Sequence, residues 1–226
     1  MKLMNLFEIF DPSNSMSMSM NWFSILLILI IMPYMFWLSP NRVMILFNMF
    51  TMHMYQEFKM LTLKKYKINI IMFFNIMMLI LIMNVTSLFP YIFNSTSQMS
   101  INLSIAFTMW TSFFIYSLWN KPLKIMAHMV PYNTPSSLMN FMSLIEFISK
   151  MIQPWTLSIR LTANMIAGHL LLTLISNFLM NYINILPLSV ITIFMQNLLF
   201  ILEFSVSIIQ SYVFSILSLL YFIEMK

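Results

Sequence analysis

Four ionisable side chains interrupt two long apolar stretches late in the sequence: Glu146, Lys150 and Arg160 within residues 137–180, and Glu203 within residues 187–223. His169 joins the first group, and Glu224 stands almost at the chain end. A charge at the centre of a bilayer costs at least ~2.5 kcal/mol, so such residues normally face a bundle interior or an aqueous cavity and mark an ion route. Lys150 and Glu224 are read equally well as side chains that snorkel to the interface. Arg160 and Glu203 lie too deep in apolar sequence for that reading.

Arg160 sets the kind of route. A guanidinium stays protonated at any working pH and presents five donors in a rigid fork. It does not pass a proton on, but its fixed charge repels protons and attracts a carboxylate, which suits a barrier between two half-channels. Glu and His exchange protons near neutral pH once burial shifts them. The set therefore holds the parts of a proton path with a gate.

Helical spacing sharpens this. At 100° per residue, Ala163, Asn164 and Ala167 fall within about 60° of Arg160, which puts it among small or polar groups on one face. Such a face admits another helix closely, either a partner that brings an acid to the guanidinium or simply a neighbour within the chain. Glu146 returns to within about 40° of the Arg160 stripe, while His169 points to the opposite side. One helix thus shows polar groups in different directions at different depths, which a single pore does not need and two separate half-routes do. On the last helix Glu203 and Gln210 are seven residues apart and share a face, and Glu224 returns to roughly that face. That spacing suits a relay from mid-membrane to one surface.

The elements that position these groups follow from composition. Of 226 residues, 61% are hydrophobic and 8% charged, against ~25% charged in soluble domains. Apolar runs of membrane-spanning length are continuous rather than alternating, so the fold class is an all-α, polytopic membrane protein. Residues 1–20 form a polar N-terminal segment, 22–38 a first span between Trp22 and Trp37 with a kink expected at Pro33, and 40–66 an amphipathic surface helix. Residues 68–89 and 101–119 form a hairpin of spans around an uncharged loop. Lys59, Lys64, Lys65 and Lys67 precede that hairpin and Lys121 and Lys124 follow it, so both basic groups face one compartment, cytoplasm or matrix, and the N-terminus faces the other.

Residues 137–180 would extend roughly 66 Å and 187–223 roughly 55 Å as single helices, against a hydrocarbon core of ~30 Å. Each is therefore either broken or steeply tilted, and a tilted hairpin turning near Asn181–Asn184 is the favoured reading, with Pro187 in the first turn of its second helix. No cysteine is present, and His53, His128 and His169 are too scattered to suggest a metal cluster. The +5 net charge is explained by membrane orientation and not by nucleic acid. The wealth of Met, 27 residues, beside a single Gly fits an AT-rich, organellar coding bias. The start carries no cleavable targeting pattern, as expected of an organelle-encoded chain.

The run Ile152-Gln153-Pro154 through Ser158-Ile159-Arg160-Leu161-Thr162-Ala163-Asn164-Met165-Ile166-Ala167-Gly168-His169-Leu170 resembles the signature of ATP synthase subunit a in its mitochondrial form. Leu202-Glu203-Phe204 with Ile209-Gln210-Ser211-Tyr212-Val213-Phe214 is similar to that family's last helix. Phe10-Asp11-Pro12 resembles insect members, and the loop from His128 to Pro135 is similar to the family's, although Asn133 stands where Gly is usual.

The resemblance implies a stator subunit of the membrane sector facing a ring of c subunits, with other membrane and peripheral-stalk subunits, protons and lipid as its remaining partners. It implies that Arg160 separates two half-channels. His169 and Glu203 would line the one open to the intermembrane space, Glu146 and Glu224 the one open to the matrix, with Asn164 and Gln210 as polar neighbours of Arg160. Glu224 rests on a short C-terminal match. No cofactor is expected, and a chain with one Gly lacks a phosphate-cradling loop, so nucleotide chemistry falls to other subunits.

Two other classes remain open on the residues alone. An antiporter-like piece of NADH dehydrogenase would rely mainly on Lys and Glu in helix breaks. A purely structural membrane subunit would leave Arg160 and Glu203 unexplained. A redox carrier would want His pairs on facing helices. The sequons at Asn84, Asn94 and Asn102 read as chance matches.

Overall fold

The hydrophobic runs become helices because a segment without access to water must satisfy its backbone internally. A computed structural model describes residues 7–13, 19–26, 30, 39–62, 69–89, 91–120, 122–130, 135, 138–182 and 185–224. Among these, every regular element is helical. The α-helices are α1 (Arg42–Leu61), α2 (Asn69–Ser87), α3 (Met99–Asn120), α4 (Pro122–His128), α5 (Met139–Asn181) and α6 (Leu186–Glu224). Short 3-10 turns occupy Glu8–Phe10, Met20–Leu26 and Ser95–Ser97. Helices α2, α3, α5 and α6 are each long and apolar enough to cross a membrane.

Most of the first span expected over 22–38, with Pro33 and Trp37, lies outside the described residues, as do Lys64, Lys65, Lys67 and Lys121, the loop residues 131–134 and Ile183-Asn184 at the hairpin turn. What is described of that first span begins as a 3-10 turn, with Trp22 set edge-on against Phe93 at 5.8 Å. Helix α1 ends at Leu61, short of the 66 expected. Thr62 turns extended (φ −91°, ψ 142°), and its N–H still donates to the Phe58 carbonyl. Its hydroxyl donates to the carbonyl of Lys59, a local bond that competes with helix continuation.

Three helices and α1 share one core. Phe58 of α1, Phe73 and Met77 of α2, Phe113 of α3 and Leu219 and Phe222 of α6 are buried together. Phe73, Phe113 and Phe222 meet pairwise at 5.2–5.9 Å in tilted arrangements, each worth ~0.5–1.5 kcal/mol beyond burial. A second cluster, with Ile80, Ala106, Leu157, Leu161 and Phe214, brings α5 against α2, α3 and α6. Ser207, Ser211, Ser215 and Ser218 are buried along α6, and each hydroxyl donates to a carbonyl of its own helix. Small, internally satisfied side chains of this kind let neighbouring backbones approach. Tyr212 ties α6 to α1 by donating its hydroxyl to Glu57 Oε2 at 2.9 Å.

Helices α5 and α6 run 43 and 39 residues without a break, about 64 and 58 Å. Pro154 removes one N–H from the α5 ladder but does not end the helix. It is buried and lines a small cavity with Ala106, Phe214 and Tyr221. Since both helices exceed the ~30 Å hydrocarbon core about twofold, neither stands upright in a bilayer. Pro187 falls in the first turn of α6, where its missing N–H has no intrahelical acceptor to lose.

Candidate functional site

The α5–α6 register places the ionisable residues in order. Gly168 faces Glu203 so closely that a Cβ at 168 would stand 3.0 Å from Glu203 Cδ and 3.1 Å from Oε1. One turn further along α5, Asn164 Nδ2 donates to Gln210 Oε1 at 3.2 Å. Leu161 and Leu157 follow, clustered with Phe214, and then Pro154 and Tyr221 share a cavity. The two helices are thus antiparallel in an even register. Its levels, from the hairpin turn outward, are His169 with Glu203, Asn164 with Gln210, Arg160 near Phe214, Pro154 with Tyr221, and finally Lys150 and Glu146 on α5 with Glu224 on α6. Arg160 stands eight residues, roughly 12 Å along the axis, from the Gly168–Glu203 contact.

Burial divides these residues. Glu203 is 9% exposed, and its two oxygens and His169 Nε2 are buried with no hydrogen-bond partner among the described residues. An unsatisfied buried polar group costs ~1–3 kcal/mol, so its presence calls for a functional reason. His169 also lines a cleft of about 640 Å³ with both polar and apolar walls. Its walls include His169, Thr173 and Ser176 from α5, Gln196 and Asn197 from α6, and Asp11 from the N-terminal segment. Tyr91, on its rim, holds a left-handed backbone (φ 66°), which costs a non-glycine residue roughly 1–2 kcal/mol.

Arg160 differs. It is exposed, and so are Ala163, Asn164 and Ala167 on the same stripe. It makes no ion pair among the described residues. A guanidinium among small residues on an uncovered helix face, with no ion-pair partner among the described residues, suits a partner that brings a counter-charge.

The far end is different again. Glu146 and Lys150 pair at 3.6 Å across one turn of α5, and Lys150 Nζ also approaches Met129 Sδ at 3.9 Å. Glu224 is exposed. Tyr221 lies near enough to both Arg160 and Glu224 to interact with each charge.

The structure therefore brings His169 to the level of Glu203 and joins Asn164 to Gln210. It keeps Arg160 apart from both pairs, with Glu146 and Glu224 beyond it. Sequence reading gave no role to Gly168, Tyr221 or the cleft residues Thr173, Ser176, Gln196 and Asn197. Gly168 did carry a signal, since it is the only glycine of the chain and sits mid-helix, where glycine costs ~1 kcal/mol against alanine. The three sequons lie at buried asparagines, Asn84, Asn94 and Asn102 at 0%, 3% and 3% exposure, which agrees with chance matches. Among the described residues no group of His, Asp and Glu is arranged to hold a metal.

Residues 18–223 match the family described as ATP synthase A chain. The chain is 50% identical to ATP synthase subunit a of Apis mellifera ligustica over 98% of its own length and 97% of the relative's. It is 46% identical to ATP synthase subunit a of Anopheles quadrimaculatus and 44% identical to that of Drosophila melanogaster, each over 98% of this chain and 99% of the relative.

Proposed function

The chain belongs to the ATP synthase A chain family and is a proton-translocating subunit of that synthase's membrane sector, and on that premise we propose that Arg160 divides two offset half-channels laid along the α5–α6 hairpin. The observation that carries this reading is the axial order of the groups: half-buried His169 with buried Glu203, then exposed Arg160, then Glu146 and Glu224.

A proton crosses the cleft to His169 and Glu203 and neutralises a carboxylate on the facing c-ring. In neutral form that carboxyl turns through lipid, which its charged form would do only at high cost. After most of a revolution it reaches the second route, and Arg160 holds the carboxylate ionised as the proton leaves by Glu146 and Glu224. Arg160 blocks direct passage because its own proton is not released. Ala163 and Ala167 keep the approach to the ring shallow. Asn164 and Gln210, bonded to one another, form the polar floor between the Glu203 level and Arg160. The membrane potential supplies about 2.3 kcal/mol per proton per 100 mV.

In this reading the chain is a multi-pass protein of the mitochondrial inner membrane. The cleft and the N-terminus face the intermembrane space, and the basic stretches around Lys59 and Lys124 face the matrix. The test is proton flux through vesicles holding the whole complex with Arg160→Ala. Loss of coupled pumping and ATP synthesis in an assembled complex, with or without a passive leak, is the expected result. Coupled pumping near normal would reduce Arg160 to a packing residue and sink the half-channel reading.

A further inference from the structure

The N-terminal segment is fixed against the mouth of the cleft. Gln98 Nε2, after the α2–α3 loop, donates to the Phe10 carbonyl at 2.7 Å, and Asn21 Nδ2 donates to the Asp11 carbonyl at 3.3 Å. Asp11 Oδ1 accepts the Ser13 N–H at 3.0 Å, which orders the turn that displays the carboxylate. Asp11 and His169 line the same cleft, and the only other titratable group among its described lining is the Tyr91 phenol. Among the described residues Asp11 is accordingly its single carboxylate, at the surface end of a path whose inner end is a buried imidazole nitrogen with no partner among those residues.

We propose that Asp11 is the proton-collecting carboxylate of this cleft, which makes the N-terminal segment a working wall of the inlet; the proposal rests on the half-channel reading above. A fixed negative charge at the mouth of a low-dielectric cleft raises the local concentration of cations and their rate of arrival. A carboxylate also binds a proton briefly and releases it to the polar side chains behind it, here Ser13, Thr173, Ser176, Gln196 and Asn197. The Ser13 hydrogen bond holds the Asp11 carboxyl below its ordinary range. Its charge is therefore present through the neutral range and disappears only in acid, as pH falls through that lowered value.

The test is ATP synthesis by energised mitoplasts carrying Asp11→Asn, measured at low and high external buffer. Asparagine keeps an Oδ1 for the Ser13 N–H, so the turn is preserved while the charge goes. At low buffer the variant should run roughly threefold slower than the parent, and the deficit should close as mobile buffer is raised and delivers protons directly. Equal rates at low buffer overturn the proposal. A deficit that is the same at every buffer level also overturns it, because that marks a structural fault. Glu203→Gln in the same preparation separates the two readings. If it abolishes synthesis while Asp11→Asn is silent, only the Asp11 role is lost; if it leaves synthesis normal, the half-channel reading falls and takes the Asp11 role with it.

Discussion

The two ends of the α5–α6 hairpin handle charge in opposite ways. Near the turn, the Glu203 carboxyl and His169 Nε2 are buried with no hydrogen-bond partner among the described residues, and His169 lines a cleft. At the far end, Glu146 is half-buried and paired with Lys150, and Glu224 is exposed. An unpaired buried carboxyl is kept at a cost and responds strongly to what reaches it. A paired carboxylate near a surface contributes little and is easily replaced. The two proposed routes are therefore unequal: uptake runs through a built, largely buried site, and release runs through a looser, wetter one.

Substitutions at each end put this asymmetry to the test. The largest effect is expected for Glu203→Gln, which removes the only carboxyl at its level among the described residues. Coupled proton flux should fall at least roughly a hundredfold, and a loss of only a few-fold would make the buried end dispensable. Gly168→Leu comes next. It drives a side chain into the space the Glu203 carboxyl occupies and should cut flux about tenfold or more in a complex that still assembles. Gly168→Ala meets only the movable end of the Glu203 side chain, so it should keep most activity and raise helix stability by up to ~1 kcal/mol. If the two variants behave alike, the Gly168–Glu203 contact is not what positions the carboxyl.

Glu146→Gln should slow flux no more than about threefold, since solvent and Glu224 remain at that end, and Lys150→Met should restore part of any loss. A collapse of flux comparable with Glu203→Gln would erase the asymmetry. The smallest effect is expected from a double-mutant cycle on Asn164→Ala and Gln210→Ala, read by thermal unfolding of the complex. Hydrogen bonds between membrane helices couple by about 0.6 kcal/mol on average, and a coupling near zero would show the 3.2 Å bond to be incidental.

Much of this was legible in the sequence, for a physical reason. Lipid forbids unpaired charge and open backbone, so apolar runs mark helices and ionisable interruptions mark sites. Arg160 with Ala163, Asn164 and Ala167 needed only the helical period to be placed on one face, and that face is exposed. The cleft was not legible. Its walls come from five separated stretches, including Asp11, Phe89, Tyr91, Thr173 and Asn197, and no local pattern records that they meet. Nor did spacing give the Gly168–Glu203 contact, because the offset between two antiparallel helices depends on packing across their whole length. The early end of α1 was missed because Thr62 acts through a hydrogen bond, which periodicity does not register.

The short step between Glu203 and Arg160 has an electrical consequence. In an unbroken membrane, 100 mV is spread over about 30 Å of hydrocarbon. If aqueous routes reach inward from both faces as proposed, the same voltage falls mainly across the dry septum between them, here at most about 12 Å and less once the helices tilt. The local field is then at least about 2.5 times that of plain bilayer. On the half-channel proposal the hairpin acts as a dielectric lens, placing the steepest part of the voltage drop where protons are exchanged.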